Sequence, residues 1–237
     1  MTNITLGLYE SYIHKSRYAR YLPNENRREH WEETVKRYIS FMKNHVSTSY
    51  NFVDDALFSK LETAIINMEI MPSMRAMMTA GEALARDNTA GYNCSYLPID
   101  DPKAFDEAMF ILMCGTGVGF SVERQYINKL PEIPEKIFQS DTIITVKDSK
   151  EGWADSLVVG MKAWALGKDI EFDYSLIRPE GARLKTMGGK ASGPAPLNDL
   201  FKFFVSTFKN AAGRKLNSIE CNDLMCKIGE AVVVGGV

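Results

Sequence analysis

Two features of this 237-residue chain could carry chemistry. One is a thiol, Cys94, in the run Tyr92-Asn93-Cys94-Ser95-Tyr96; the other is a glycine ladder, Gly115-Thr116-Gly117-Val118-Gly119-Phe120. A reactive thiol upstream of bare backbone that can touch phosphate or ribose would make a redox site for a nucleotide. The same cysteine also reads as a small buried hydrophobe, the commonest fate of a free thiol. Spacing alone leaves both readings open. The ladder lacks the lysine–hydroxyl pair of a P-loop and does not open a helix, which excludes a Walker or Rossmann cradle. What it still offers is close approach of backbone or ligand.

Phosphate-binding composition occurs elsewhere. Ser73 and Arg75 follow the turn at Pro72. Between Arg178 and Pro194, Arg178, Arg183, Lys185 and Lys190 alternate with glycines and the hydroxyls Thr186 and Ser192. Backbone N–H groups, hydroxyls and cations converging in this way suit an anion, although a solvated polar loop has the same composition. A second basic loop runs Gly213-Arg214-Lys215-Leu216-Asn217-Ser218. Cys114, Cys221 and Cys226 fall on helical patterns and read as structural, and His14, His30 and His45 read as surface or capping residues.

These groups must be positioned by a mixture of helices and short strands. Apolar residues at three- and four-residue steps predict helices from Arg27 through Phe41, with Trp31, Val35 and Tyr38, and from Leu57 to Met68. Cys94 sits in a short strand by its aromatic neighbours. Asp101 before Pro102 reads as the start of a helix over 103–114, ended by Gly115. The ladder then turns into a strand at Ser121-Val122. Further strands are predicted over 142–146 and 170–174. A capping box, Asp148 with Glu151, opens a helix through Trp153, Leu157, Met161 and Trp164. The last two helices run 197–212, with Phe201, Phe204 and Phe208, and onward from Ser218.

Composition narrows the class. With 28 basic and 30 acidic residues the net charge is −2, which excludes a general nucleic-acid binder, since that needs a basic excess. No run approaches the length of a membrane span, and the N-terminus has no signal-peptide pattern. Four cysteines fit no zinc spacing. The expectation is a reduced, cytoplasmic protein that binds neither membrane nor nucleic acid. The apolar run 232–237 ends the sequence without a polar tail.

An ordered set of motifs goes further: Tyr18-Ala-Arg-Tyr-Leu-Pro23 with Trp31-Glu-Glu-Thr-Val-Lys36, Pro72-Ser-Met-Arg75, Asn93-Cys94, Val118-Gly-Phe-Ser-Val122, Asp148-Ser-Lys-Glu-Gly-Trp153, Ile177-Arg-Pro-Glu-Gly-Ala182, Gly188-Gly-Lys-Ala-Ser-Gly-Pro194 and Ile228-Gly-Glu-Ala-Val-Val-Val-Gly-Gly-Val237. Together they resemble the N-terminal part of class II, adenosylcobalamin-dependent ribonucleotide reductases, in the monomeric ribonucleoside-triphosphate branch. The resemblance implies an α/β fold: a helical N-terminal region over 1–85, then over 86–237 the beginning of a ten-stranded α/β barrel, incomplete here. It makes Cys94 one half of a redox dithiol whose partner lies in the other half-barrel. Met71, Ser73, Asn93 and Gly117 become substrate-binding residues. Asp101, Arg178, Lys185, Lys190 and Ser192 become effector-binding residues, and Arg214, Lys215 and Ser218 the loop that passes effector identity to the substrate base.

The implied cofactor is adenosylcobalamin, held mostly by a C-terminal portion. The implied partners are a ribonucleoside di- or triphosphate, a deoxynucleotide effector, a C-terminal reductase chain and a thioredoxin-type reductant. The family's radical-bearing finger loop, its second dithiol cysteine and its C-terminal cysteine pair are absent from this sequence, so Cys221 and Cys226 do not take the last role. The connection from Cys94 to Trp153 is shorter than in the monomeric branch. Two alternatives remain: a non-catalytic nucleotide-binding or regulatory fragment, and a reductase with another radical source.

Overall fold

The computed structural model describes residues 6–50, 53–182 and 190–235, with side chains up to 232. The chain divides into two compact units, Met1–Asn93 and Cys94–Val237.

The first unit is helical. α1 (Leu8–Ile13) runs into a π-helical turn (His14–Tyr18), then a two-residue hairpin pairs β1 (Tyr21–Leu22) with β2 (Arg27–Arg28). That hairpin is why the predicted helix starts at Trp31 and not at Arg27. α2 (Trp31–Tyr50) and α3 (Asp55–Ile66) follow, then the short α4 (Met74–Thr79) and α5 (Glu82–Arg86). Trp31, Val35, Ile39, Ile65 and Met77 form the core, and the Trp31 indole donates to the Ile66 carbonyl at 3.1 Å.

One expectation fails here. His14 is buried, not a surface residue: its Nε2 lies 2.9 Å from the Thr34 hydroxyl, and its ring meets Trp31 edge-on. Burial pushes its pKa down, against the nearby Glu29 carboxylate. Thr34 in turn donates to Glu29, which also receives the Arg37 guanidinium at 2.7 and 2.9 Å.

The second unit is α/β. β3 (Cys94–Pro98), α6 (Lys103–Met113) and β4 (Gly117–Ser121) form one β-α-β unit. After the turn of helix α7 (Arg124–Ile127), β5 (Phe138–Thr145), α8 (Lys150–Ala165) and β6 (Lys168–Asp173) form another. β3 pairs parallel with β4, and β5 parallel with β6. Parallel neighbours require a crossover, and in each case it is the intervening helix. α9 (Ala195–Asn210) and α10 (Ser218–Gly235) complete the unit. Among the described residues these strands stay in separate two-stranded sheets.

The core is aromatic at its centre. Trp164 is fully buried, with Phe172, Phe201, Phe204 and Phe208 around it at ring separations of 5.9–6.4 Å. Each such side chain contributes about 1.5–3 kcal/mol by leaving water. Cys221 joins this core, where burial pushes its thiol up to about 12, so it is protonated and inert. Cys226 is exposed, contrary to its structural reading, with the Asn222 amide 3.7 Å from its sulfur.

The start of α8 also differs from expectation. Ser149, not Asp148, caps the helix, its hydroxyl accepting from the Gly152 N–H at 3.0 Å. A Cβ at Gly152 would lie 2.6 Å from the Lys147 carbonyl oxygen, so only glycine lets the chain turn this tightly into the helix. Asp148 is thereby left to pair with Arg178.

Candidate functional site

Side chains alternate along a strand, and the β3–β4 pair uses that alternation to separate two environments. Ser95 and Leu97 point with Val118 and Phe120 to one face, where Leu97 is buried in the core and the two β4 side chains pack on it. Cys94 and Tyr96 point to the other face, opposite Gly117 and Gly119 in register. That face is open: the Cys94 thiol is exposed and Tyr96 is 62% exposed. Of the two readings of Cys94, the buried hydrophobe is excluded. The Ser95 hydroxyl donates to the Gly117 carbonyl at 3.1 Å, clamping the strands beside the thiol.

The ladder is itself a strand from Gly117, not a turn before one. Gly115, at φ +81°, supplies the left-handed residue that ends α6. The other thiol near this pair, Cys114, is buried and lies 3.1 Å from the Lys150 ammonium.

The first unit holds a cavity of about 490 Å³ lined by Tyr18, Ser73, Met74, Arg75, Met78 and Asn93. It brings Ser73 and Arg75 together with Asn93, which lies well downstream of them in sequence. Ser73 caps α4 through the Ala76 N–H. The Arg75 Nε donates to the Ala90 carbonyl at 2.9 Å, so its guanidinium is anchored on the stretch before Asn93. Met71 is half exposed and is not among the residues lining the cavity.

The basic loops are engaged with their own surroundings. The Arg178 Nε donates to both Asp148 carboxylate oxygens, at 3.0 and 2.8 Å. The arms of the loop pair through Gly181 and Ala182 with Ala191; Lys190 is exposed, and the Ser192 hydroxyl bonds the Gly193 carbonyl. Lys185 lies outside the described residues. Asp101 accepts the Lys103 N–H at 2.9 Å, as a helix-start residue does. Arg214 forks onto Glu220 at 2.8 and 2.6 Å, Lys215 donates to the Asn128 carbonyl, and Ser218 to the Val122 carbonyl. These contacts tie the 213–218 loop to the end of β4 and to α7.

Two further cavities went unnoticed in the sequence. One, of about 650 Å³, lies between β6 and α9 against Phe172, Tyr174, Phe201, Lys202 and Lys209. The other, of about 290 Å³, lies between α6 and α8 and is lined by Asp106, Glu107, Glu151 and Asp155. Burial, with Glu107 adding to it, pushes the Asp106 carboxyl up to about 6. Both line up residues from separate helices or strands, so only the fold brings them together. Among the described residues no three histidine, cysteine or carboxylate side chains converge as a metal site, and no helix is long and apolar enough to cross a membrane.

A family model described as the B12-dependent ribonucleotide reductase insertion domain matches residues 124–206, the stretch from α7 into α9. An adenosylcobalamin-dependent ribonucleoside-triphosphate reductase of Lactobacillus helveticus is 26% identical over 94% of this chain and 39% of its own. The Euglena gracilis protein of the same name is 30% identical over 93% of this chain and 32% of its own. A crystal structure of a B12-dependent (class II) ribonucleotide reductase superposes with a TM-score of 0.81 at 24% identity, over 94% of this chain and 40% of that one, which establishes the shared fold. The chain thus spans at most about two fifths of these relatives. Over nearly its whole length it is similar to adenosylcobalamin-dependent ribonucleoside-triphosphate reductases, and it shares the fold of a class II ribonucleotide reductase.

Proposed function

We propose that this chain supplies the N-terminal part of a ribonucleotide reductase. In this reading residues 1–85 form the helical N-terminal region and residues 86–237 begin the α/β barrel, with the two β-α-β units as its first strands. The observation that carries it is Cys94, an exposed thiol on the open face of β3 opposite Gly117. It stands in a chain similar to reductases.

Removing the ribose 2′-hydroxyl as water consumes two electrons. Two thiols provide them: each gives up its hydrogen, the sulfurs join as a disulfide, and ribonucleotide leaves as deoxyribonucleotide plus water. Cys94 is one of the two, and the other lies outside this sequence. Met71, Ser73 and Asn93 are substrate-binding residues in this reading, and so is Gly117, in register with Cys94. In the second unit Asp101, Arg178, Lys185, Lys190 and Ser192 sense a deoxynucleotide effector, and the Arg214–Lys215–Ser218 loop relays its identity. The pairing of Arg178 with Asp148 holds the start of that effector loop in place.

The named relatives are adenosylcobalamin-dependent, and that cofactor would supply a radical when bound. In this reading the cofactor is held mostly by the C-terminal portion, and a thioredoxin-type protein re-reduces the disulfide in the cytoplasm.

The test is assembly. Mixed with the C-terminal portion of a class II reductase, adenosylcobalamin and a dithiol, the chain is expected to convert a ribonucleoside triphosphate to its 2′-deoxy product, read by chromatography. A well-folded pair that makes none would overturn the proposal.

A further inference from the structure

Cys114 has no part in the reductase reading, and its surroundings differ from those of the other buried cysteine. Cys221 lies in the apolar core, where burial pushes its thiol up to about 12. Cys114, 2% exposed, instead receives a hydrogen bond from the Lys150 ammonium at 3.1 Å, across thirty-six residues of sequence.

Both atoms are held at helix ends. Cys114 closes α6: its N–H bonds the Phe110 and Ile111 carbonyls at 3.0 and 3.1 Å. Lys150 opens α8 directly after the Ser149 cap. The same ammonium lies 4.6 Å from the centre of the Phe110 ring, a cation–π contact that holds the nitrogen from a second side. The cavity of about 290 Å³ between the two helices is lined by Phe110 and Ile111, one helical turn before Cys114, and by Glu151, next to Lys150. A water's share of liquid volume is about 30 Å³, so molecules the size of hydrogen peroxide fit there, beside a thiol closed to bulk solvent. A cation at hydrogen-bond distance favours the thiolate, the form that peroxide oxidises.

We propose that Cys114 and Lys150 are a peroxide-sensitive pair that closes into a reversible sulfur–nitrogen link. In the first step the Cys114 sulfur takes one oxygen from hydrogen peroxide. The O–O bond breaks, sulfur loses two electrons to the peroxide, and a sulfenic acid and one water result. In the second, the Lys150 nitrogen gives one proton to solvent and attacks that sulfur, as nitrogen does in known condensations of sulfenic acids. The S–O bond breaks, the S–N bond forms, and the hydroxyl leaves with a second proton from nitrogen as water. One peroxide is consumed; two waters and one proton are released. A dithiol reopens the link, returning a hydrogen to each atom as it becomes a disulfide. The link ties the end of α6, which leads into the strand where Gly117 stands in register with Cys94, to the start of α8, beside the Asp148 that holds Arg178. The pair acts within this chain, whatever reaction the assembled protein performs.

Peptide mapping tests it. The full chain is treated with dilute hydrogen peroxide, unfolded, alkylated with iodoacetamide and digested with trypsin for mass spectrometry. In the wild type the Cys114 peptide is expected joined to the Lys150 peptide, two hydrogens lighter than the pair apart, with cleavage after Lys150 lost and dithiothreitol restoring both peptides. Lys150→Arg, which keeps the cation, is expected to lose the link entirely, its Cys114 running on to the sulfinic acid, with circular dichroism unchanged. A folded wild type in which no Cys114–Lys150 link forms, whether Cys114 stays a thiol or runs on to the sulfinic acid, would overturn the inference and leave the reductase reading standing.

Discussion

Cys94→Ser is expected to bring deoxynucleotide formation by the assembled protein down to background while leaving nucleotide binding unchanged. A serine hydroxyl cannot surrender a hydrogen and join a second sulfur, so the two electrons that 2′-hydroxyl removal requires have no donor at this strand. The change is nearly isosteric and falls at an exposed position on β3, where surface substitutions shift stability by no more than about 0.5 kcal/mol. Loss of activity would therefore report chemistry and not folding. Cys226→Ser is the matched control: it is also an exposed cysteine, on α10, and should leave the rate unaltered. Deoxynucleotide assays with both variants, beside nucleotide-binding isotherms, separate the two outcomes. Equal rates from Cys94→Ser and wild type would remove Cys94 from the reaction.

Glu29→Ala should destabilise the first unit by about 3–5 kcal/mol, the cost of leaving a buried cation without its partner. Glu29 is 4% exposed and accepts from the Arg20 N–H, the Thr34 hydroxyl and the Arg37 guanidinium. Arg37 also holds the Met77 and Ala80 carbonyls at 2.9 and 2.8 Å, so α2, α4 and the hairpin meet at one ion pair. Burial by itself would raise the Glu29 pKa; the Arg37, Arg20 and Thr34 hydrogen bonds outweigh it and the carboxyl titrates below its ordinary value. A depressed carboxylate contributes stability that is fully present above its unfolded pKa and lost as pH falls through its folded one. Urea titrations followed by Trp31 fluorescence should therefore show wild-type stability falling on acidification through the carboxylate range, with the Glu29→Ala curve flatter there.

Periodicity located most helices of the second unit, because long amphipathic patterns such as Leu200–Phe204–Phe208 face one core. What pattern could not foresee was competition between neighbours. Arg27 was drawn into a hairpin with Leu22 and not into a helix. Ser149 took the cap because Asp148 had a stronger partner thirty residues on, in Arg178. His14 looked polar and local, yet Thr34 and Trp31 gave it a buried place. The thiol was ambiguous for the same reason: exposure of Cys94 follows from which way β3 turns its alternation, and that is decided by the burial of Leu97.

The central claim is that Cys94 is oxidised to a disulfide as substrate is reduced. It is tested most directly by letting the assembled protein turn over ribonucleoside triphosphate with no external reductant, then mapping Cys94 by alkylation and peptide mass spectrometry. The expected result is Cys94 joined in a disulfide to a cysteine outside residues 1–237, in amounts equal to the deoxynucleotide formed. Product formed with Cys94 still a free, alkylatable thiol would contradict the claim.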